Sequence, residues 1–163
     1  MERKKNEDAA LSLWEYALLA YGKNDVALAC LAAQDGHGLD VNMLLFAAWL
    51  AVSGRVLGDS DVRLADEHCR AWREDVVAPL RRRRRAWKHA PPHAGAYAAI
   101  KALEIEAERH QLAMLGEVAE RLRLQGATPA AGAVAKSDLL ATNLRVVAAA
   151  SAAPDAAVAG LAA

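Results

Sequence analysis

The chain has few cysteines and few aromatic residues, which excludes several specialised classes of protein. Its 163 residues include two cysteines, Cys30 and Cys69, and only 5% are aromatic. Two cysteines so far apart match neither a zinc-ligand nor a dithiol spacing, and they provide no disulfide framework. Each lies beside alanines in an apolar helical pattern, so we interpret both as small buried hydrophobic residues of a protein from a reducing compartment.

Long apolar runs are also missing. The longest strongly apolar stretch extends from Leu39 to Val52 and contains Asp40 and Asn42. It is shorter than the roughly 18–20 residues that a membrane-spanning helix needs. The N-terminus, MERKKNEDAALSLW, is charged and lacks the apolar core of a secretory signal. We therefore expect a cytoplasmic protein that does not bind membranes.

The chain has no excess charge of either sign. Twenty basic residues balance 20 acidic ones, so overall charge gives no attraction to nucleic acid or to an anionic membrane. Hydrophobic residues make up 55% of the chain, which excludes general disorder. Apolar positions recur every three or four residues, and no segment alternates as a strand would. The predicted fold is therefore all-α.

The predicted architecture is a bundle of about five helices with a kinked fourth helix, a long fifth helix and an alanine-rich C-terminal arm. Residues 1–8 are predicted to be a flexible N-terminus, 9–125 a helical domain, and 126–163 a linker, a short helix and a tail. The predicted helices cover about 9–21, 25–34, 41–53, 59–88, 97–124 and 137–149. Pro79 should kink the fourth helix near Asp75 or Val76. The third is apolar on every side, which predicts a central helix with Trp49 fully buried.

The densest polar cluster in the sequence lies just before this central helix, in a turn that contains Gly36 and Gly38. The cluster comprises Gln34, Asp35, His37, Asp40 and Asn42. As a binding or catalytic site, it would use His37 as general base and an aspartate to orient it. The interpretation that we favour is structural: Asp40 caps the third helix and the other polar groups bind backbone atoms.

A basic run at the end of the fourth helix is the sharpest charge feature. It contains five consecutive arginines from Arg81 to Arg85, followed by Trp87 and Lys88. The candidate interaction residues are Arg81, Arg82, Arg84, Arg85, Trp87 and Lys88, which would contact phosphate, RNA or a protein partner. The interpretation that we favour is that the arginines pair with Glu104, Glu106 and Glu108 across a helical hairpin.

Motifs of the common catalytic and cofactor-binding families are missing from the sequence. Glu106 and His110 are spaced to share a helix face, but no second set of ligands completes a di-iron site. We therefore predict no metal ion and no cofactor, and a protein that is not an enzyme.

Two segments resemble a known family. Residues 34–42 follow the pattern Q-D-x-H-G-x-D-V-N, and residues 72–81 follow W-R-x-x-V-V-x-P-L-R. Together with W-E-Y-A-L-L-A-Y at 14–21, they are similar to a family of small proteobacterial proteins known only as a domain of unknown function. The resemblance covers about residues 10–125. It implies a small all-helical cytoplasmic protein and no particular activity.

Three functions remain open from the sequence. The favoured one is a non-catalytic helical module or small accessory protein that binds another protein or a second copy of itself. The second is an RNA- or phosphate-binding module that uses the run from Arg81 to Lys88. The third is a small-molecule or enzyme site near Gln34 to Asn42.

Overall fold

The chain folds into helices packed around a buried central helix, as a computed structural model shows for residues 11–124 and 135–162. The predicted flexible segment 1–8 and most of the predicted linker after Gly126 lie outside the described residues. The elements are α1 (Leu13–Tyr21), α2 (Asn24–His37), α3 (Val41–Val52), α4 (Asp59–Trp72), a π-helical turn (Arg73–Val77), α5 (Ala78–Trp87), α6 (Ala96–Leu124), α7 (Lys136–Ala150), a 3₁₀ turn (Asp155–Val158) and α8 (Ala159–Ala162). The predicted all-α fold is confirmed.

The ends of the first three helices follow from local side-chain chemistry. Ser12 and Glu15 form a reciprocal capping box at the start of α1. Asp40 caps α3, because its carboxylate accepts a hydrogen bond from the backbone N–H of Asn42 at 2.9 Å. We expected α2 to end at Gln34, but it continues to His37. It stops at Gly38, whose φ of 68° suits a residue without a side chain.

The central position predicted for α3 is confirmed. Nine of its residues are buried, from Val41 to Ala47 and at Leu50 and Ala51, and Phe46 is completely enclosed. The prediction for Trp49 was wrong, because this side chain is only partly buried. Its indole N–H donates to the carbonyl of Leu11 at 2.8 Å, which holds the ring near the surface.

A π-helical turn, Arg73–Val77, occupies the place where the sequence predicts a kink. Pro79 has no backbone N–H to bond the carbonyl of Asp75, and its ring would collide with that carbonyl in a regular helix. The wider turn immediately before it accommodates both effects, and the N–H of Ala78 reaches back five residues to the carbonyl of Arg73. The chain after the turn continues as α5, which packs against α6 as the expected hairpin.

Helix α7 lies against α3 and α4. Its buried Asn143 donates from Nδ2 to the carbonyls of Ala47 and Arg55, and its Oδ1 accepts from the N–H of Leu57 at 2.9 Å. Leu144 and Val147 are buried on the same helix. Although the segment before α7 is rich in alanine and glycine, α7 itself closes the core.

Both cysteines are buried thiols, as the sequence predicted. Burial raises the pKa of Cys30 to about 11 and that of Cys69 to about 12, so both stay protonated at neutral pH. Among the described residues, no helix has the length and apolar character required to cross a bilayer.

Candidate functional site

Two clefts of about 450 Å³ each open on either side of a cluster of charged side chains. Gln34 and Arg81 line both of them, so the two spaces share a wall. This volume falls in the range of small-molecule sites in proteins.

The first, which we call the apolar cleft, lies among α1, α2, α3, α5 and α6. Aliphatic and aromatic side chains form most of its walls, and charged groups stand on the side made by α5 and α6. Its lining comprises Trp14, Ala17, Leu18, Tyr21, Gly22, Leu31, Gln34, Val41, Asn42, Leu45, Arg81, Arg84, Lys101, Glu104, Ile105, Glu108 and Leu112.

The second, which we call the polar cleft, lies between the start of α3, helix α4 with the π-helical turn, and the end of α7. Nine of the 16 residues that line it are charged or polar. Its lining comprises Gln34, Gly38, Leu39, Asp40, Met43, Val62, Arg63, Asp66, Arg70, Arg73, Glu74, Ala78, Arg81, Val147, Ala150 and Ser151.

A hydrogen-bonded triangle of amide and carboxylate groups joins the two clefts. Gln111 donates from Nε2 to Asp40 Oδ2 at 2.6 Å, and its Oε1 accepts from Asn42 Nδ2 at 3.0 Å. Gln111 and Asn42 are buried. Because Asn42 faces the apolar cleft and Asp40 the polar one, Gln111 connects the linings of both.

Two arginines of α5 and two glutamates of α6 form the charged floor of the apolar cleft. Arg81 donates to Glu108 Oε1 at 2.5 Å and to Glu104 Oε1 at 3.3 Å. Arg84 also donates to both oxygens of Glu104, which is only 4% exposed. Burial of an unpaired carboxylate destabilises a protein, and here two guanidinium groups pair with it.

A second ion-pair network lines the polar cleft. Asp66 accepts hydrogen bonds from Arg70, and Arg73 Nη1 lies 2.7 Å from its other oxygen. The same Nη1 atom is 3.6 Å from Asp40 Oδ2, so Arg73 bridges this pair to the triangle of Gln111.

The two networks shift carboxyl pKa values in opposite directions. Burial raises the pKa of Glu108 above its ordinary value of 4.5, and the bond from Arg81 only partly opposes this effect. Burial would also raise the pKa of Asp66, but the hydrogen bonds and charges of Arg70 and Arg73 outweigh it and lower that pKa below 3.8.

The structure divides the polar cluster that the sequence singled out. Gln34, Asp40 and Asn42 line the clefts, whereas Asp35 is exposed and binds Arg85 at 2.5 Å. His37 is exposed at the end of α2 and lines neither cleft. His37, the candidate general base, therefore lies apart from the three residues of the cluster that line the clefts.

The basic run is divided in a similar way. Arg81 and Arg84 point inward to Glu104, and Arg85 bonds Gln34 and Asp35. Arg82, Arg83 and Lys88 are exposed, and Trp87 is half-buried with the guanidinium of Arg83 5.5 Å from its ring centre. The expected pairing across the hairpin involves Glu104 and Glu108. Glu106 instead lies near Arg109.

Sequence reasoning missed two polar residues that build the networks, Arg73 and Gln111, and it did not predict the burial of Glu104. A signal for Gln111 and for the burial of Glu104 exists. Glu104 and Gln111 occupy positions on the buried stripe of α6 that also carries Ile100, Ala107 and Val118. Polar residues at core positions of an amphipathic helix indicate a buried network. The spacing of apolar residues by three and four in this segment also predicts Leu103 on that stripe, but the prediction is wrong, because Leu103 is 57% exposed.

The described residues contain no group of three potential metal ligands. The networks that do form pair carboxylates with arginine, and such carboxylates are already neutralised by protein cations.

These features define a small all-helical protein with two clefts about a shared charged wall. Comparison with family models assigns residues 12–115 to the family described as "Protein of unknown function (DUF2390)". The match covers more than half of the chain, so the protein belongs to this family and the predicted resemblance is confirmed. No curated protein matches the chain. No solved structure matches it either.

Both segments on which the resemblance rests lie inside the matched region and meet at the clefts. Asp40 of the first segment faces Arg73 of the second, and Gln34 and Arg81 form the shared wall. The family description names no activity, so the function has to be argued from this geometry.

Proposed function

We propose that this protein binds a small molecule in the apolar cleft and performs no chemistry on it. The observation that carries the proposal is a cleft of about 450 Å³ with apolar walls and a charged floor that the protein itself neutralises. Binding sites of small molecules combine these properties: concave shape, apolar lining and a few placed polar groups.

The rim of the cleft supports binding because it exposes large apolar side chains. Leu18 is 55% exposed, and Tyr21, Leu31 and Ile105 are also exposed. An apolar ligand that covers them removes hydrocarbon surface from water, which contributes about 25 cal/mol for each Å² buried. Ligand binding would therefore gain free energy by covering apolar side chains that the protein itself leaves exposed.

The chemistry of the lining favours binding over catalysis. The cleft lining given above contains no histidine, cysteine, serine or threonine among the described residues. Its two carboxylates are engaged by arginine, and the exposed His37 stands elsewhere. A carboxylate acting as general base would have to be released from an ion pair before it reacted.

The experiment compares two neighbouring leucines of α1. Leu18 lines the cleft and Leu19 does not, yet they are 55% and 61% exposed. We expect Leu18→Lys to weaken the binding of octanol at least tenfold in titration calorimetry, and Leu19→Lys to leave it unchanged. Mass spectrometry of the protein purified from its native cell should detect a retained small molecule that Leu18→Lys loses. Equal binding by both variants would contradict the proposal.

The alternative function is docking of another protein or of a second copy of this chain. In either case we propose that the protein works in the bacterial cytoplasm. Exposed leucines on α1 and α2, namely Leu18, Leu19 and Leu28, favour docking. Here Leu19→Lys should weaken the association as much as Leu18→Lys does. Sedimentation over a hundredfold range of protein concentration tests self-association directly.

Nucleic-acid binding is a weaker alternative. Three arginines of the basic run are bound to protein carboxylates or amides, which leaves Arg82, Arg83 and Lys88 exposed. A nucleic-acid complex through these three residues should weaken between 50 and 200 mM salt with a slope of about −0.9 for each phosphate contact. Binding of octanol should not depend on salt.

A further inference from the structure

The apolar cleft has its charges on one side and its hydrocarbon on the other. Every lining residue from α1 is apolar apart from the phenol of Tyr21, whereas Arg81, Arg84, Lys101 and two glutamates come from α5 and α6. A molecule that fills the cleft therefore meets hydrocarbon at one end and charge at the other. This polarity suits an amphipathic ligand with its headgroup toward α5 and α6.

The charged side has an excess of cations. Arg81, Arg84 and Lys101 face the cleft as three positive groups, and Glu104 and Glu108 as two negative ones. Both carboxylates are already held: Glu104 by two guanidinium groups and Glu108 by Arg81. A cationic headgroup would have to displace an arginine from a buried or half-buried carboxylate, and that exchange is unfavourable.

Lys101 is the cation that remains available. It is exposed, lines the cleft and forms no ion pair with any residue in the described part of the chain. Arg81 uses Nε and Nη2 for its glutamates, and Arg84 likewise uses Nε and Nη2 for Glu104. Both arginines are therefore already engaged by carboxylates, and Lys101 is the lining cation that a carboxylate headgroup can bind without breaking an ion pair.

Resting on the proposed function, we propose that the ligand of the apolar cleft is an amphipathic anion, with a carboxylate-like headgroup at Lys101 and an apolar body against α1 and α3. The excess of positive charge favours a negatively charged headgroup, and the apolar walls favour a hydrocarbon body. Asn42, which is 4% exposed and lines the cleft, adds an amide for a polar atom near the floor.

The test uses three ligands with the same body and different heads: octanoate, octanol and octylammonium. Titration calorimetry on the full chain measures each affinity. A charge-assisted hydrogen bond should make octanoate bind about tenfold tighter than octanol. Octylammonium should bind more weakly than octanol. Octanoate binding should weaken with added salt, whereas octanol binding should not.

The decisive variant is Lys101→Gln, which changes one exposed side chain and leaves the buried ion pairs intact. It should bring the affinity for octanoate down to about that for octanol, and leave octanol unaffected. Lys136→Gln is the matched control, because Lys136 is also exposed on a helix and lines neither cleft. It should retain the full preference for octanoate.

The outcomes separate this inference from the proposed function. Equal binding of octanoate and octanol, or a preference for octylammonium, would overturn the anionic headgroup while the cleft remained a binding site, with Leu18→Lys still weakening all three ligands. A preference for octanoate that survives Lys101→Gln would overturn the assignment to Lys101. Failure of all three ligands to bind would overturn the cleft itself and the inference with it.

Discussion

The apolar and polar clefts have the same volume and share a wall, but they compensate charge in different places. In the apolar cleft the carboxylate of Glu104 is almost fully buried, beneath two arginines. In the polar cleft Asp66 and Arg70 pair near the surface, with side chains 31% and 55% exposed. Placing Glu104 deep beneath its arginines leaves the space above it free for hydrocarbon. Both clefts contain paired charges, but the apolar cleft is apolar because its carboxylate Glu104 is buried.

We expect the largest loss of stability from a substitution that removes a carboxylate from the floor of the apolar cleft. Glu104→Ala leaves Arg81 and Arg84 without their shared carboxylate, and the loss of one partner of a buried pair costs about 3–5 kcal/mol. Urea unfolding measures the change. Glu106→Ala is the control on the same helix: Glu106 is exposed and only 4.0 Å from Arg109, so it should change stability by less than about 1 kcal/mol. Equal effects would show that the floor is not a buried network.

The next effect tests the link between the clefts. Gln111→Leu has a similar shape but removes the amide between Asn42 and Asp40, so two polar groups lose a partner. We expect a loss of about 1–3 kcal/mol in the free energy of unfolding. Glu120→Leu, at an exposed position of α6, should stay within about 0.5 kcal/mol. If Gln111→Leu left stability unchanged, water would have to replace Gln111 as the hydrogen-bond partner of Asn42 and Asp40.

A smaller effect separates the two roles of Asp40, which caps α3 and faces Arg73. Asp40→Asn keeps a capping side chain and should change stability by less than about 1 kcal/mol, whereas Asp40→Ala should cost about 0.5–2 kcal/mol. Thermal melts of both variants provide the comparison. An asparagine variant as damaged as the alanine variant would assign the main role of Asp40 to its charge in the polar cleft.

Acid should act on the two clefts in opposite directions, and this is the smallest of the four effects. The pKa of Glu108 is raised in the folded protein, so ionisation opposes folding and its contribution to stability improves as pH falls through the folded pKa. The pKa of Asp66 is lowered, so its contribution is present above the unfolded value of 3.8 and is lost as pH falls below it. Urea unfolding from pH 7 to pH 3 of Glu108→Gln and Asp66→Asn should show differences from the parent of opposite slope.

The sequence predicted the helices well because hydrophobic periodicity and caps are local signals. The cap at Asp40 and the irregular helical turn before Pro79 follow from neighbouring residues alone. The site was harder, since its parts lie far apart along the chain: Asp40 meets both Gln111 and Arg73. The sequence predicted that Glu104 pairs with the arginines of α5, but periodicity placed Leu103 on the core stripe of α6 because leucine is apolar. The structure buries Glu104 there instead, bound to two arginines of α5. Burial of a paired carboxylate depends on how two helices pack, which the pattern of one helix does not reveal.

The π-helical turn between α4 and α5 has a consequence for how this chain tolerates change in length. A π-helical turn is equivalent to one extra residue inserted into an α-helix, and each residue turns the helix by about 100°. Removing one residue between Arg73 and Val77 would close this turn into a regular helix and leave the arginine-bearing face of α5 toward α6, because the wide turn had absorbed the extra residue. The ring of Pro79 would then meet a carbonyl of the preceding turn. Substitutions are therefore absorbed in this segment more easily than a single-codon deletion, which would remove the space that the proline needs.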